Sequence, residues 1–104
     1  MADSCADKLK VLADATRLAV IEALLEGPAY VGELGERLQV EQSLLSHHLK
    51  VLREAGLVEA ERDGKAVLYR LAPGVEGASA GKAISLGCCR ISFETRSNAR
   101  NRTR

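Results

Sequence analysis

Gln42-Ser43-Leu44-Leu45-Ser46-His47-His48-Leu49-Lys50-Val51-Leu52-Arg53-Glu54-Ala55-Gly56-Leu57-Val58 is the stretch on which the fold turns. Leu45, His48, Leu49, Leu52 and Ala55 recur at spacings of three and four, which gathers them on one side of a helix from about residue 42 to residue 55. Gly56 is its stop. Ser43, Ser46, His47, Lys50 and Arg53 fall on the other side. Short hydroxyls, an imidazole and two cations suit a major groove, where small side chains allow close approach and Gln, Ser and His can meet base edges. The competing reading is an ordinary solvated face, since any surface helix is polar outside. The helix begins Gln42-Ser43 and not with acidic residues, which favours an anion at its N-terminus.

Upstream, Val31, Leu34 and Leu38 form a second apolar stripe on a helix of two to three turns, joined to the first through Gln39-Val40-Glu41. Two helices so connected make a helix-turn-helix. Before them, Ala6, Leu9, Leu12 and Ala13 predict a first helix. Asp14 offers an N-cap to another, with stripe Leu18, Ile21 and Leu25, which stops at Gly27-Pro28.

Downstream, from Leu57 to Leu71, the period changes to two, with Val58, Ala60, Val67, Tyr69 and Leu71 on one face and Asp63-Gly64 at the midpoint. Asp-Gly between alternating runs predicts a hairpin. A two-residue Asp63-Gly64 loop sets Arg62 opposite Lys65, and a phosphate between them relieves the repulsion of like charges. Beyond Pro73, glycines at 74, 77, 81 and 87 interrupt an Ala-rich run, predicting a short, frayed helix. Residues 86–94 read as a strand with Cys89, Ile91 and Phe93 facing in and Cys88, Arg90, Ser92 and Glu94 facing out. The fold class expected is mainly α with a β-hairpin wing, a winged helix-turn-helix over residues 1–94. A disordered Arg-rich tail follows over 95–104.

A chain of 104 residues has room for one core. An apolar fraction of 46% and a charged fraction of 28% are those of a globular protein. Aromatic residues make up only 3%, too few for the stacking platform of single-strand binders. The net charge of +1 hides an uneven distribution: without Arg96, Arg100, Arg102 and Arg104, residues 1–94 hold 11 basic against 14 acidic side chains. The case for nucleic acid therefore rests on where particular residues point. No apolar run approaches a membrane span and the N-terminus lacks the layout of a signal peptide, so the expected location is the cytoplasm, with no membrane partner.

Lys10-Val11-Leu12-Ala13-Asp14-Ala15-Thr16-Arg17-Leu18, the stretch from Gln42 to Val58, and Val67-Leu68-Tyr69-Arg70-Leu71 together resemble the ArsR/SmtB repressors over about residues 8–72. The resemblance implies a homodimer on double-stranded operator DNA, an imperfect inverted repeat, until an inducer releases it. The DNA-facing positions map to Gln42, Ser43, Ser46 and His47, with Arg62 and Lys65 at the wing. His48 matches too, but on the apolar face it reads as a packed, hydrogen-bonded core histidine. The Cys-Val-Cys of some members is absent, replaced by Ala29-Tyr30-Val31-Gly32-Glu33-Leu34. No histidine follows His48, so the Asp/His site on a C-terminal helix is absent as well. Ala15 stands where a proline is usual, a change a first helical turn tolerates.

Cys5, Cys88 and Cys89 remain as the sensing candidates. Thiolates prefer soft ions such as arsenite, Cd(II), Pb(II) or Hg(II), and the resemblance supports cysteine-based sensing from the C-terminal region. A reducing compartment argues against structural disulfides. The bland alternative is a small buried hydrophobe at Cys89 and an unimportant Cys5. In a regular strand Cys88 and Cys89 point to opposite faces, so a redox or persulfide switch with Arg90 beside Cys88 competes with a metal site. The function expected is a repressor released by arsenite or a soft heavy-metal ion, with no cofactor needed for folding. A winged-helix adaptor without DNA is the rival. His47, His48 and the cysteines form no nucleophile, base and orienter set, so an enzyme is not expected.

Overall fold

The computed structural model describes residues 4–76 and 82–93. Helices α1 (Cys5–Leu12), α2 (Ala15–Leu24), α3 (Val31–Leu38) and α4 (Gln42–Glu54) precede the strands β2 (Val58–Asp63) and β3 (Ala66–Leu71), with a two-residue strand β1 (Ala29–Tyr30) ahead of α3. Strands β4 (Ala83–Ser85) and β5 (Arg90–Ser92) close the described chain.

The helix starts are capped as their sequences require. Ser4 accepts from the Asp7 amide, and Asp14 accepts from the Arg17 amide at 3.0 Å. That bond holds the Asp14 carboxyl below the usual carboxylate range. At α3 the Glu33 carboxylate accepts the Tyr30 amide at 2.8 Å. Between α3 and α4 the chain reverses through Gln39, whose φ of 57° is left-handed. Val40 N–H then bonds to the Gly35 carbonyl. A Cβ on Gly35 would lie 3.3 Å from the Val40 oxygen, so the tight approach of turn to helix depends on that glycine.

Leu45, His48, Leu49 and Leu52 turn inward from α4, with Ala55 just beyond it, as the periodicity requires. They meet Val20 and Ile21 of α2, Leu34 of α3, and Leu57 and Val58 in one core. Leu18 and Leu25 are only partly buried, the interior of α2 being centred on Val20, Ile21, Ala23 and Leu24.

The sheet order is β1-β3-β2, antiparallel throughout. Its hairpin corrects the expected turn. Asp63 pairs with Ala66 and Arg62 with Val67, so the two-residue loop is Gly64-Lys65 and Arg62 does not oppose Lys65. Gly64 takes the left-handed φ of 65° that such a turn needs. Loop length and face are unchanged, while every pairing moves along by one turn position.

The segment after Pro73 also departs from expectation. Its described part is extended: Glu76 bridges Ile84, β4 pairs with β5, and Ile84 is fully buried against the main core. Burying Ile84 and Leu86 holds the described residues 83–85 extended against their helix propensity. Residues 86–89 form the turn of this hairpin instead of continuing a strand. The expected alternation holds for Ile91 and Phe93, partly buried, and for Arg90 and Ser92, exposed. Residues 77–81 and the tail of 95–104 lie outside the described residues, as does Glu94.

Candidate nucleic-acid interface and thiol cluster

Gln42, Ser43, Ser46, His47 and Lys50 are all exposed on α4, opposite its buried face. Arg62 near the end of β2 and Lys65 in the turn are exposed on the wing. Arg53 is exposed but engaged, its guanidinium donating to the Tyr69 hydroxyl at 3.4 Å, which ties α4 to β3. Leu44, which the sequence reading assigned to neither face, is 49% exposed in the first turn of α4.

The vacant helix N-terminus inferred from Gln42-Ser43 is not found. Glu41 caps α4, accepting from the Leu44 amide at 3.2 Å and from the Ser43 hydroxyl at 2.7 Å. The Ser43 bond, then the amide bond, holds the Glu41 carboxyl below its ordinary range. A carboxylate already meets the helix dipole, so a phosphate is not needed there. An acidic residue three positions before a free amide was the missed signal.

The wing is anchored by a contact the sequence reading did not include. Tyr30 donates its hydroxyl to Asp63 Oδ2 at 2.6 Å, which pushes the phenol above its ordinary value. Glu61 on the same strand pairs with Arg70. Glu59, Glu61 and Asp63 share one face of β2, and Arg62 shares the other with Val58 and Ala60.

The three cysteines meet. Cys5 at the start of α1 and Cys88 in the β4–β5 turn form a disulfide with Cα atoms 6.0 Å apart, against the expectation that no disulfide would form. The half-buried Cys89 keeps a free thiol, 3.6 Å from Cys5 Sγ and 4.0 Å from Cys88 Sγ. All three sulfurs lie within 4.8 Å of one another. The opposite-face objection lapses because the residues sit in a turn. Leu86 N–H bonds to the Cys89 carbonyl, and Gly87 takes a φ of 89°. Lys8 Nζ, 3.2 Å from the Leu86 carbonyl, draws α1 onto the same turn.

An amphipathic helix presented after a tight turn, followed by an antiparallel hairpin, defines a winged helix-turn-helix domain. Residues 14–60 match the family described as "Bacterial regulatory protein, arsR family". The chain is 46% identical over 70 residues to the HTH-type transcriptional repressor SmtB of Mycobacterium tuberculosis, covering 67% of this chain and 52% of that protein. It is similar to HlyU from Vibrio cholerae, with a TM-score of 0.60 at 42% identity, covering 62% of this chain and 70% of that one. A homodimeric winged helix-turn-helix DNA-binding domain from Mycobacterium bovis gives a TM-score of 0.59 at 33% identity, covering 61% of this chain and 58% of that one. This chain belongs to the bacterial ArsR family of regulatory proteins. It spans about half the length of the curated relatives it matches. No helix among the described residues is long and apolar enough to cross a membrane.

Proposed function

We propose that the chain is a transcriptional repressor that binds double-stranded operator DNA as a homodimer and is released by a thiol-reactive inducer. The observation that carries the DNA reading is the exposed row Ser43, Ser46, His47 and Lys50 on a helix whose other face is locked into the core. Gln42, Ser43, Ser46 and His47 meet base edges, while Lys50, Arg62 and Lys65 meet phosphates. The dimer reading rests on the likeness to the homodimeric domain described above.

For the inducer, the close approach of Cys5, Cys88 and Cys89 supports arsenite or a soft heavy-metal ion. A metal–sulfur bond of about 2.3 Å places sulfurs around a shared ion no more than about 4.6 Å apart. The 3.6 and 4.0 Å separations of Cys89 from its neighbours fit that limit. The Cys5–Cys88 bridge favours a second reading, a repressor answering to oxidants or persulfides.

Duplex DNA affinity measured across salt, with and without arsenite, Cd(II), Zn(II) and an oxidant, tests this. A steep salt dependence and inducer-driven release are expected. An adaptor would bind no duplex. Cys88→Ser combined with Cys89→Ser should hold DNA in the presence of every inducer; release that persists would make the cysteines structural.

A further inference from the structure

Two of the three sulfurs that a soft ion would use are joined to one another, and the third is not. A sulfur in a disulfide has no thiolate to give, so the bridged cluster retains a single free cysteine, Cys89. We infer that the cluster is one site with two mutually exclusive states, a three-thiolate soft-ion site when reduced and a Cys5–Cys88 bridge when oxidised. Oxidation therefore silences ion sensing, and a bound ion blocks oxidation. The inference rests on the soft-ion reading above and adds its regulation.

The geometry divides the labour among the cysteines. Cys88 is exposed, in the turn where a small molecule can reach it, and its bridge to Cys5 needs nothing from Cys89. Cys89 is half-buried, packed against the core cluster, and serves only as the third ligand. The turn held by Leu86 and Gly87 sets Cys89 beside Cys88, and the Lys8 bond to the Leu86 carbonyl holds α1, with Cys5, against the same turn by a contact other than the bridge.

The redox step balances as an exchange. A small-molecule disulfide accepts two electrons and two protons from the Cys5 and Cys88 thiols. Its own sulfur–sulfur bond breaks to give two thiols as the protein bond forms. Excess small thiol drives the same exchange backwards and restores the three-thiol site.

The test needs no DNA, so its outcome is independent of the repressor reading. Cd(II) and, separately, arsenite are titrated into the full chain, once reduced and once oxidised with a small-molecule disulfide. Binding is read by calorimetry and by the ultraviolet charge-transfer band of Cd–thiolate bonds. The reduced chain should bind one ion, the oxidised chain should lose the band, and reduction should restore it. Cys89→Ser should still form the Cys5–Cys88 bridge, seen by peptide mapping, yet bind Cd(II) at least about a hundredfold more weakly, since losing an outer-shell partner alone costs 10–100-fold. Cys89→Ala with unchanged helicity guards against a folding defect in the serine variant. One equivalent of Cd(II) should slow bridge formation in the wild-type chain. Equal ion affinity in the two redox states overturns the exclusivity alone. Failure of the reduced chain to bind either ion overturns the soft-ion reading itself.

Discussion

Arg17 Nη1 lies 3.0 Å from Nδ1 of the buried His48. A guanidinium can only donate, so this ring nitrogen accepts and the ring proton sits on Nε2. Arg17 Nε also donates to the Val11 carbonyl at 2.6 Å. One side chain from α2 thus joins the end of α1 to the middle of α4, immediately behind the exposed His47. His48 belongs to the core, as its place on the apolar stripe implied.

Arg17→Met removes both donors and leaves the buried His48 Nδ1 unpaired. The expected cost is about 1–3 kcal/mol, read as a lower urea midpoint at unchanged slope. An unaltered midpoint would mean that the bond is not made in solution.

Ser46→Ala with His47→Ala should remove operator discrimination while leaving helicity and dimerisation intact, because both side chains are exposed and only the His47 ring meets the core, tilted against His48 with centroids 5.4 Å apart. Each lost base contact is expected to cost about 1–3 kcal/mol against the cognate site. Competition between operator and random duplex checks it, and a folded double variant that still selects its operator would sink the assignment of α4 as the reading helix.

Arg62→Gln with Lys65→Gln should weaken binding to every duplex alike and lower the salt slope by about two, close to one per phosphate contact. Discrimination should survive. The corrected turn sharpens the expectation: with Lys65 at the tip and Arg62 in the strand, the single variants should contribute separately and near-additively.

Asp14 and Glu41 both have carboxyl groups held below their ordinary values of 3.8 and 4.5. A group whose pKa is depressed by folding adds stability above the unfolded value, and that stability is lost as pH falls through the folded one. Denaturation midpoints should therefore decline on acidification below about pH 4.5. Asp14→Asn with Glu41→Gln should flatten that decline and leave a smaller pH dependence.

Opening the Cys5–Cys88 bridge should lower stability by about 2–4 kcal/mol, because the bond constrains a long loop in the unfolded chain. Reduction of the wild-type chain and the Cys5→Ser variant should give the same loss when each is melted without ions. A reduced chain as stable as the oxidised one would show that the bridge contributes nothing to folding.

The helix-turn-helix was legible because a buried face leaves its period in the sequence. Leu45, His48, Leu49 and Leu52 could sit together in no other local conformation. The wing was legible in face but not in turn, since a glycine fits either of two adjacent turn positions and moving the turn by one keeps every side chain on its own side. Glu41 was passed over because its side chain reaches forward to an amide three residues away, which composition alone does not weigh. Of the second hairpin, β5 was legible as a strand, while β4 was misread as helix because Ile84 is held extended by a core assembled from distant residues. Elimination picked out Cys5, Cys88 and Cys89 as a group. Their spatial meeting depends on α1 and the β4–β5 turn converging across 83 positions, which no local pattern records.

The bridge also closes residues 5–88 into a covalent ring. Tension applied at residues 5 and 88 themselves passes through a pair of sulfur atoms and bypasses the helices, wing and core between them. The bridged Cα atoms are 6.0 Å apart, and 83 positions separate them along the chain. Once the bond is cut, the same pull can draw out roughly 280 Å of chain at about 3.4 Å per residue. A reductant therefore decides whether this domain behaves under force as a short inextensible link or as a long slack thread.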